Sequence, residues 1–570
     1  MKLIIKEYLT SLKERGELDA LLPDLLSQMG LRVFSRPGRG TRQYGVDVAA
    51  VGNINGVDKV FLLSVKSGDL GRRDWDNGSV QDLRPSLNEI LDVYIPNHLP
   101  PEYEHYPIDI CICTGGDIKE NVRLNITQYV KKNETDLIKF VEWDGDHLAA
   151  WVEKYFLQEN LVSTEARPLL RKSLALLDEP QASFRHFSNL IKSLAKEDVS
   201  KDSQVLITVR QMNICLWILF AWARQTNNLE SSYLAAELTL LYAWEITKHY
   251  HSKTTKIATE IKLSFYSTHA TYQIISRAYL DKILPHTGKR GGLSTAVQSS
   301  NKLDINLKLF EVLGRLALGG IMELWKLKIT TDEKIQEEYI RSVELLAGHL
   351  KQLIINNPTL LLPIKDDHAI DIFLALLFLF SQGESKQYII NWLSLIIDRS
   401  LFAYETHGLY PCIHRDYLNL LGHPERRDDE YRQEATSGSI LYPLISLWAA
   451  ILNNEELYKK VQAAKEKHLS HCNFQFWYPG ETTEKHLYRN DDIHGVTFSH
   501  VPVDQDADSF LESVWSECDQ INAFSKLSCI EAGMWPLLLV ACRHYRLPVP
   551  IDFTLVKSKS EEEQTSSSDA

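Results

Sequence analysis

The stretch Gly45–Lys66, GVDVAAVGNINGVDKVFLLSVK, constrains the fold more than any other part of the chain. Two β-branched, apolar runs, 44–51 and 60–66, flank NINGVD, whose Asn-Gly pair is a strong short-range signal for a tight hairpin. A two-stranded hairpin is marginal in water, so it needs further strands and a cover for its apolar face. The neighbouring sequence supplies both. Upstream, GELDALLPDLLSQMG reads as a helix ending at a glycine suited to a C-cap, and LRVF as a short strand. Downstream, 80–94 reads as a helix, PIDICICTGG as a buried strand, and DIKENVRLNITQYVKK as a helix. LIKFVEW follows as a strand and GDHLAAWVEKYFL as a closing helix. Helix, three strands, helix, strand, helix, strand, helix predicts a mixed central sheet flanked by helices.

That pattern stops near Gln158. From there to about Tyr545 glycines thin out and long amphipathic segments dominate, such as SSYLAAELTLLYAWEITKHY and NLKLFEVLGRLALGGIMELWKL. No repeat of fixed period stands out. The expected organisation is an α/β domain over 1–157, a connector over 158–204 marked by Pro168, Pro180 and AKEDVSKDSQ, and an all-α domain over 205–555. The charged, low-complexity tail, 556–570, is expected to be disordered.

Bulk chemistry narrows the partners. The 570 residues carry a formal charge of −13, so the whole chain is not a general polyanion binder. The 42 residues from Arg32 to Arg73 invert the sign: eight basic residues against Asp47, Asp58 and Asp69, net +5. The eight cysteines show no CxxC spacing and read as reduced core residues of a cytoplasmic protein. The first residues do not read as a signal peptide, and the longest apolar runs, 214–223 and 372–380, fall short of a membrane span. No membrane partner is expected.

Phosphodiester hydrolysis with a divalent metal needs carboxylates to hold a hard cation, a positioned water, and a positive group to offset the charge that grows in the transition state. Asp47 and Lys66 are the residue types required, on two neighbouring strands. Period-2 alternation puts Ser64 and Lys66 on one face.

With these residues in view, roughly 15–155 resembles the PD-(D/E)XK nuclease superfamily, and within it the Mrr-type restriction endonucleases. The pieces that carry the resemblance are ELDALLPDLLSQMG, LRVF, GVDV, SVK in the slot of the family's (D/E/Q)-x-K, and VEWDGDHLAAWVEKY. The resemblance implies a restriction-endonuclease-like α/β fold and a Mg²⁺-dependent deoxyribonuclease, with Mn²⁺ as a possible substitute. It implies that Asp47 binds metal, that Lys66 is the catalytic lysine, that Asp19 stands where the family often has a helix glutamate, and that Gly45 precedes the catalytic strand.

Ser64 departs from that pattern, because a neutral hydroxyl does not replace a carboxylate's charge. The missing oxygen comes from Asp69 or Glu89, or Asp47 and Asp19 hold one metal while Ser64 orients a water, or the site binds nucleic acid without cutting. Arg36, Arg39, Arg42, Arg72 and Arg73 are the expected clamps on the phosphate backbone.

Weaker features lie further on. HTGKRGGLSTA is a basic glycine-rich loop without Walker spacing. His468, His471 and Cys472 cluster without a second ligand pair, and the stretch 473–495, aromatic and polar for a loop, reads as a recognition surface or as packing across helix ends. Two functions therefore stand. One is a DNA endonuclease with a helical regulatory, partner-binding or oligomerising domain, laid out like bacterial antiphage and restriction effectors. The other is a catalytically degenerate nuclease fold serving as a nucleic-acid-binding or scaffold subunit. The sequence does not separate DNA from RNA. A homodimer is expected for cutting two strands.

Overall fold

The computed structural model describes residues 2–36, 43–54, 56–155, 166–196, 201–297, 299, 301–423 and 428–554. The chain divides into two compact units, 1–275 and 276–570. The expected tail, 556–570, and two of the expected clamps, Arg39 and Arg42, lie outside the described residues.

The first unit is built around one mixed sheet of five strands in the order β1-β2-β3-β4-β5. These are β1 (Arg32–Ser35), β2 (Val48–Asn53), β3 (Asp58–Lys66), β4 (Ile108–Thr114) and β5 (Ile138–Trp143). β1, β2 and β3 form an antiparallel meander; β4 and β5 continue parallel to β3. The hairpin register runs from Val48 opposite Leu63 to Asn53 opposite Asp58. Gly56 supports the turn, with φ +89° and its N–H on Asn53 Oδ1 at 2.6 Å. Parallel pairing needs crossovers. α3 (Arg72–Trp75), α4 (Leu83–Glu89), a π-helical turn (Ile90–Tyr94) and α5 (Ile95–His98) lead from β3 to β4, and α6 (Glu120–Asn133) leads from β4 to β5. Ala49, Val60, Leu62, Ile108, Ile110 and Ile112 share one face and form a buried core with Leu83, Leu87, Ile90, Val122 and Ile126. On the other face Phe61 meets Trp143, and α7 (Gly145–Tyr155) packs with α1 (Lys2–Ser11) and α2 (Asp19–Gln28).

Strand β2 starts later than the pattern predicts. Tyr44 and Gly45 both take left-handed backbone, φ +49° and +80°, and make a turn rather than strand. Gly45 is required there: a Cβ would collide with the Ser86 carbonyl oxygen of α4.

The rest of the first unit is helical, and it includes the expected connector. α8 (Ala166–Ala175) and α9 (Pro180–Lys196) pack on each other, because Pro180 opens its helix and Pro168 sits in the first turn, where no intrahelical N–H is lost. α10 (Asp202–Gln225), α11 (Glu230–Thr247) and α12 (Lys256–Thr287) follow. Among the described residues α10 alone is long and apolar enough to cross a membrane, and 89% of its apolar window is buried against protein.

The second unit is mostly helical, with long helices at Lys302–Ile329, Glu333–Asn356 and Lys386–Glu405. It is not all-α. Three short strands, β6 (Gly438–Ser439), β7 (Asn473–Tyr478) and β8 (Val496–Ser499), form a sheet. NFQFWY, read as loop, is strand β7, since its aromatic residues suit a half-buried pleated surface.

Candidate active site

The site stands where β2 begins and β3 ends. Asp47 directly precedes β2, and its N–H donates to Leu63 O at 2.8 Å. Its carboxylate Oδ2 accepts the Val65 N–H at 2.8 Å, so the side chain extends the β2–β3 ladder by one bond. Burial pushes the Asp47 carboxyl up to about 6; the Val65 bond and Lys66 pull it back, while Glu14 and Asp19 push it further up.

Lys66 closes β3, 9% exposed, with Nζ 3.2 Å from Glu14 Oε1. Ser64 shares its face and is 1% exposed, and its hydroxyl has no hydrogen-bond partner. Asp19 opens α2 and is 8% exposed. Asp47 thus stands with Ser64, Lys66 and Asp19, and with Glu14 from the segment before α2.

Glu14 comes from a π-helical turn, Glu14–Leu18, in which the Leu18 N–H reaches Lys13 O at 3.0 Å. The sequence carries a signal for it. The buried apolar positions Ile5, Tyr8, Leu9 and Leu12 keep helical spacing, and Leu18 follows Leu12 by six positions. That interval fits no helical repeat and marks an inserted turn. The predicted helix began at Gly16 and so left Glu14 outside it.

The other expected oxygen donors are elsewhere. Asp69 is committed to the crossing of β3 and β4: Oδ1 accepts the Asp117 N–H at 2.9 Å and Oδ2 lies 3.4 Å from Lys119 Nζ. Those contacts hold its carboxyl below the usual range, the Asp117 bond first. Glu89 ends α4, half-buried, and is not among the charges acting on Asp47. Of the described arginines, Arg72 and Arg73 are exposed on α3, six and seven residues beyond Lys66. Arg36 stands 3.9 Å from Asp24 of α2, on the side of that helix facing α10.

The donors around Asp47 are all oxygens: three carboxylates and an unpartnered hydroxyl beside one lysine. Their chemistry fits a hard divalent cation, which would relieve the mutual repulsion that Asp47 registers. Among the described residues no three His, Cys, Asp or Glu side chains already converge as a ready metal site.

The weaker features resolve as packing. In the glycine-rich loop the Gly291 N–H donates to Asn356 O and the Gly292 N–H to Lys289 O, so those amides are spent within the protein. His468 pairs with Glu405 and His471 with Thr436 Oγ1. Phe474, Phe476, Trp477 and Tyr478 are buried, and so are all eight cysteines, each a free thiol.

Comparison with known proteins returned no matching family model, no matching curated protein and no matching solved structure.

Proposed function

We propose that the N-terminal sheet is the catalytic core of a metal-dependent DNA endonuclease of the PD-(D/E)XK, Mrr-like kind. One observation carries the reading. A helix, an antiparallel three-strand meander and a parallel fourth strand place an acid at the start of β2 beside a buried lysine at the end of β3. A core lysine paired to one carboxylate, with a buried aspartate and an unpartnered hydroxyl on neighbouring strands, is a costly arrangement for stability alone, and such clusters gather at functional sites.

In this reading Asp47, Glu14 and Asp19 would hold Mg²⁺ or Mn²⁺, and the ion would supply Lewis-acid activation of the phosphodiester and of water. Asp47, with its carboxyl near 6, is ionised at neutral pH and available as a ligand. Lys66 offsets the negative charge that builds on the phosphate in the transition state. Ser64 orients water rather than carrying charge. Arg72 and Arg73 give sequence-independent grip on the backbone. A nuclease domain joined to a long helical region is the layout of restriction and antiphage effectors, and we place the chain in that class by fold-level analogy.

The test is an assay on supercoiled and linear duplex DNA, single-stranded DNA and RNA, with Mg²⁺ or Mn²⁺. Wild type is expected to cut duplex DNA, and Asp47→Ala and Lys66→Ala to leave it intact. Equal background cutting by all three proteins contradicts the proposal.

Ser64 favours a second reading, a nuclease fold that grips nucleic acid without cutting it. That reading expects salt-dependent DNA binding, weakened by Arg72→Glu/Arg73→Glu, with no metal-dependent product.

A further inference from the structure

Helix α10 lies against the segment that carries the site. Glu17, Asp24 and Gln28 are seven and then four residues apart, which lines them along one stripe of the π-helical turn and α2. Their partners on α10, Arg224 and Arg210, are fourteen residues apart, close to four helical turns and so also on one stripe.

The contacts are specific. Glu17 is 3% exposed. Arg224 grips it as a fork, NH1 to Oε1 at 3.0 Å and to Oε2 at 3.2 Å, and NH2 to Oε2 at 3.3 Å. The Lys13 N–H reaches Glu17 Oε2 at 2.9 Å, so the same carboxylate also ties down the start of the turn. Arg210 NH1 meets Gln28 Oε1 at 3.2 Å, and Arg210 and Arg36 both act on the buried Asp24. The turn therefore faces two ways. Glu17 points to the helical region, and Glu14, three residues earlier, points to Lys66.

We infer that Arg224 is a positioning residue for the active site: by fixing Glu17 it fixes the π-helical turn that sets Glu14 against Lys66. The functional half of this inference rests on the nuclease reading; the mechanical half, that Arg224 orders the turn, does not. A π-helical turn is a rare single-turn departure from the α-helix, and here the Glu17 carboxylate ties it to both Lys13 and Arg224. A buried bidentate arginine–carboxylate pair is directional, and lysine cannot reproduce its fork. A signal that moves α10 would then reach the catalytic lysine through one side chain.

The experiment uses the full chain and two readouts. Hydrogen exchange is followed in peptides covering 13–19 and 62–67, and steady-state cleavage is measured in parallel. Arg224→Lys is expected to speed exchange over 13–19 by about tenfold or more and to lower kcat by about tenfold with KM for DNA unchanged. Arg224→Lys added to Glu14→Gln is expected to lower kcat no further, because Arg224 acts only through Glu14. The double variant Arg224→Met/Glu17→Gln removes the pair without stranding a buried charge, and it must show the same faster exchange if the pair itself orders the turn. Unchanged exchange over 13–19 in both Arg224 variants overturns the inference, as do effects of Arg224→Lys and Glu14→Gln that multiply. If the chain does not cut, or Asp47→Ala cuts like wild type, the nuclease reading falls instead, and the exchange result still decides the link.

Discussion

Both units bury a cluster of acids, and both contain an aspartate whose carboxyl burial pushes up to about 6: Asp47 in the first, Asp366 in the second. Their surroundings differ. Asp366 accepts Ser439 Oγ at 2.5 Å, Ile440 N–H at 2.7 Å and Leu441 N–H at 3.3 Å, at the start of the helix Leu441–Ile451. Its neighbour Asp367 pairs with Arg546 and Lys365, and Asp371 pairs with Arg546 at 2.9 Å. Each acid there has an ion-pair or hydrogen-bond partner, though Asp367 Oδ2 and Asp371 Oδ2 make no hydrogen bond, and the cluster reads as a structural joint. Around Asp47, Lys66 pairs with Glu14, the Val65 N–H and the Lys66 charge act on Asp47 against Glu14 and Asp19, and the Ser64 hydroxyl makes no hydrogen bond. A shifted titration is common to both clusters. What separates them is the basic partners: Arg546 and Lys365 in the second cluster, Lys66 in the first, beside a Ser64 hydroxyl that makes no hydrogen bond.

The comparison breaks most sharply at the chemistry. Asp47→Ala and Lys66→Ala are expected to lower cleavage at least about 10³-fold, roughly 4 kcal/mol in the barrier, while melting within a few degrees of wild type. Single-turnover kinetics checks the first and calorimetry the second. In the second unit the damage goes to stability. Arg546→Met removes the ion pair of Asp371 and leaves Asp367 with Lys365 alone, and denaturant unfolding is expected to show a loss of about 3–5 kcal/mol.

A third variant reverses the usual direction. The folded chain holds a proton on Asp47 more tightly than the unfolded chain does. That site's contribution to stability is therefore present at low pH and is lost as pH rises through about 6. Asp47→Asn keeps an acceptor for the Val65 N–H and removes the charge. It is expected to be more stable than wild type by about 1–3 kcal/mol at pH 8 without divalent metal, and equal to it near pH 3.5. Urea midpoints at the two pH values decide this. Ser64→Ala gives the smallest effect, under about 1 kcal/mol in the same measurement, since no bond is lost with the hydroxyl.

Much of the first unit was legible because its signals are local. The Asn-Gly hairpin, the buried ICIC strand and the period of α6 each declare themselves within a dozen residues. Asp47 and Lys66 were legible because the hairpin fixes their separation. Glu14 was not, since its role depends on a turn that breaks helical phase and on a fork from Arg224, more than two hundred residues away in sequence. Asp69 looked available because sequence does not show that β4 returns beside it and spends its carboxylate on the Asp117 N–H. The same blindness left β7 unseen among aromatic residues that suit either strand or loop.

The most direct test of the central claim is divalent-ion binding to the full chain by titration calorimetry with Mn²⁺, compared among wild type, Asp47→Asn and Glu14→Gln. The account predicts a saturable site in wild type that disappears in Asp47→Asn and weakens at least about tenfold in Glu14→Gln. Indistinguishable binding by all three proteins, or no binding by wild type, would contradict it.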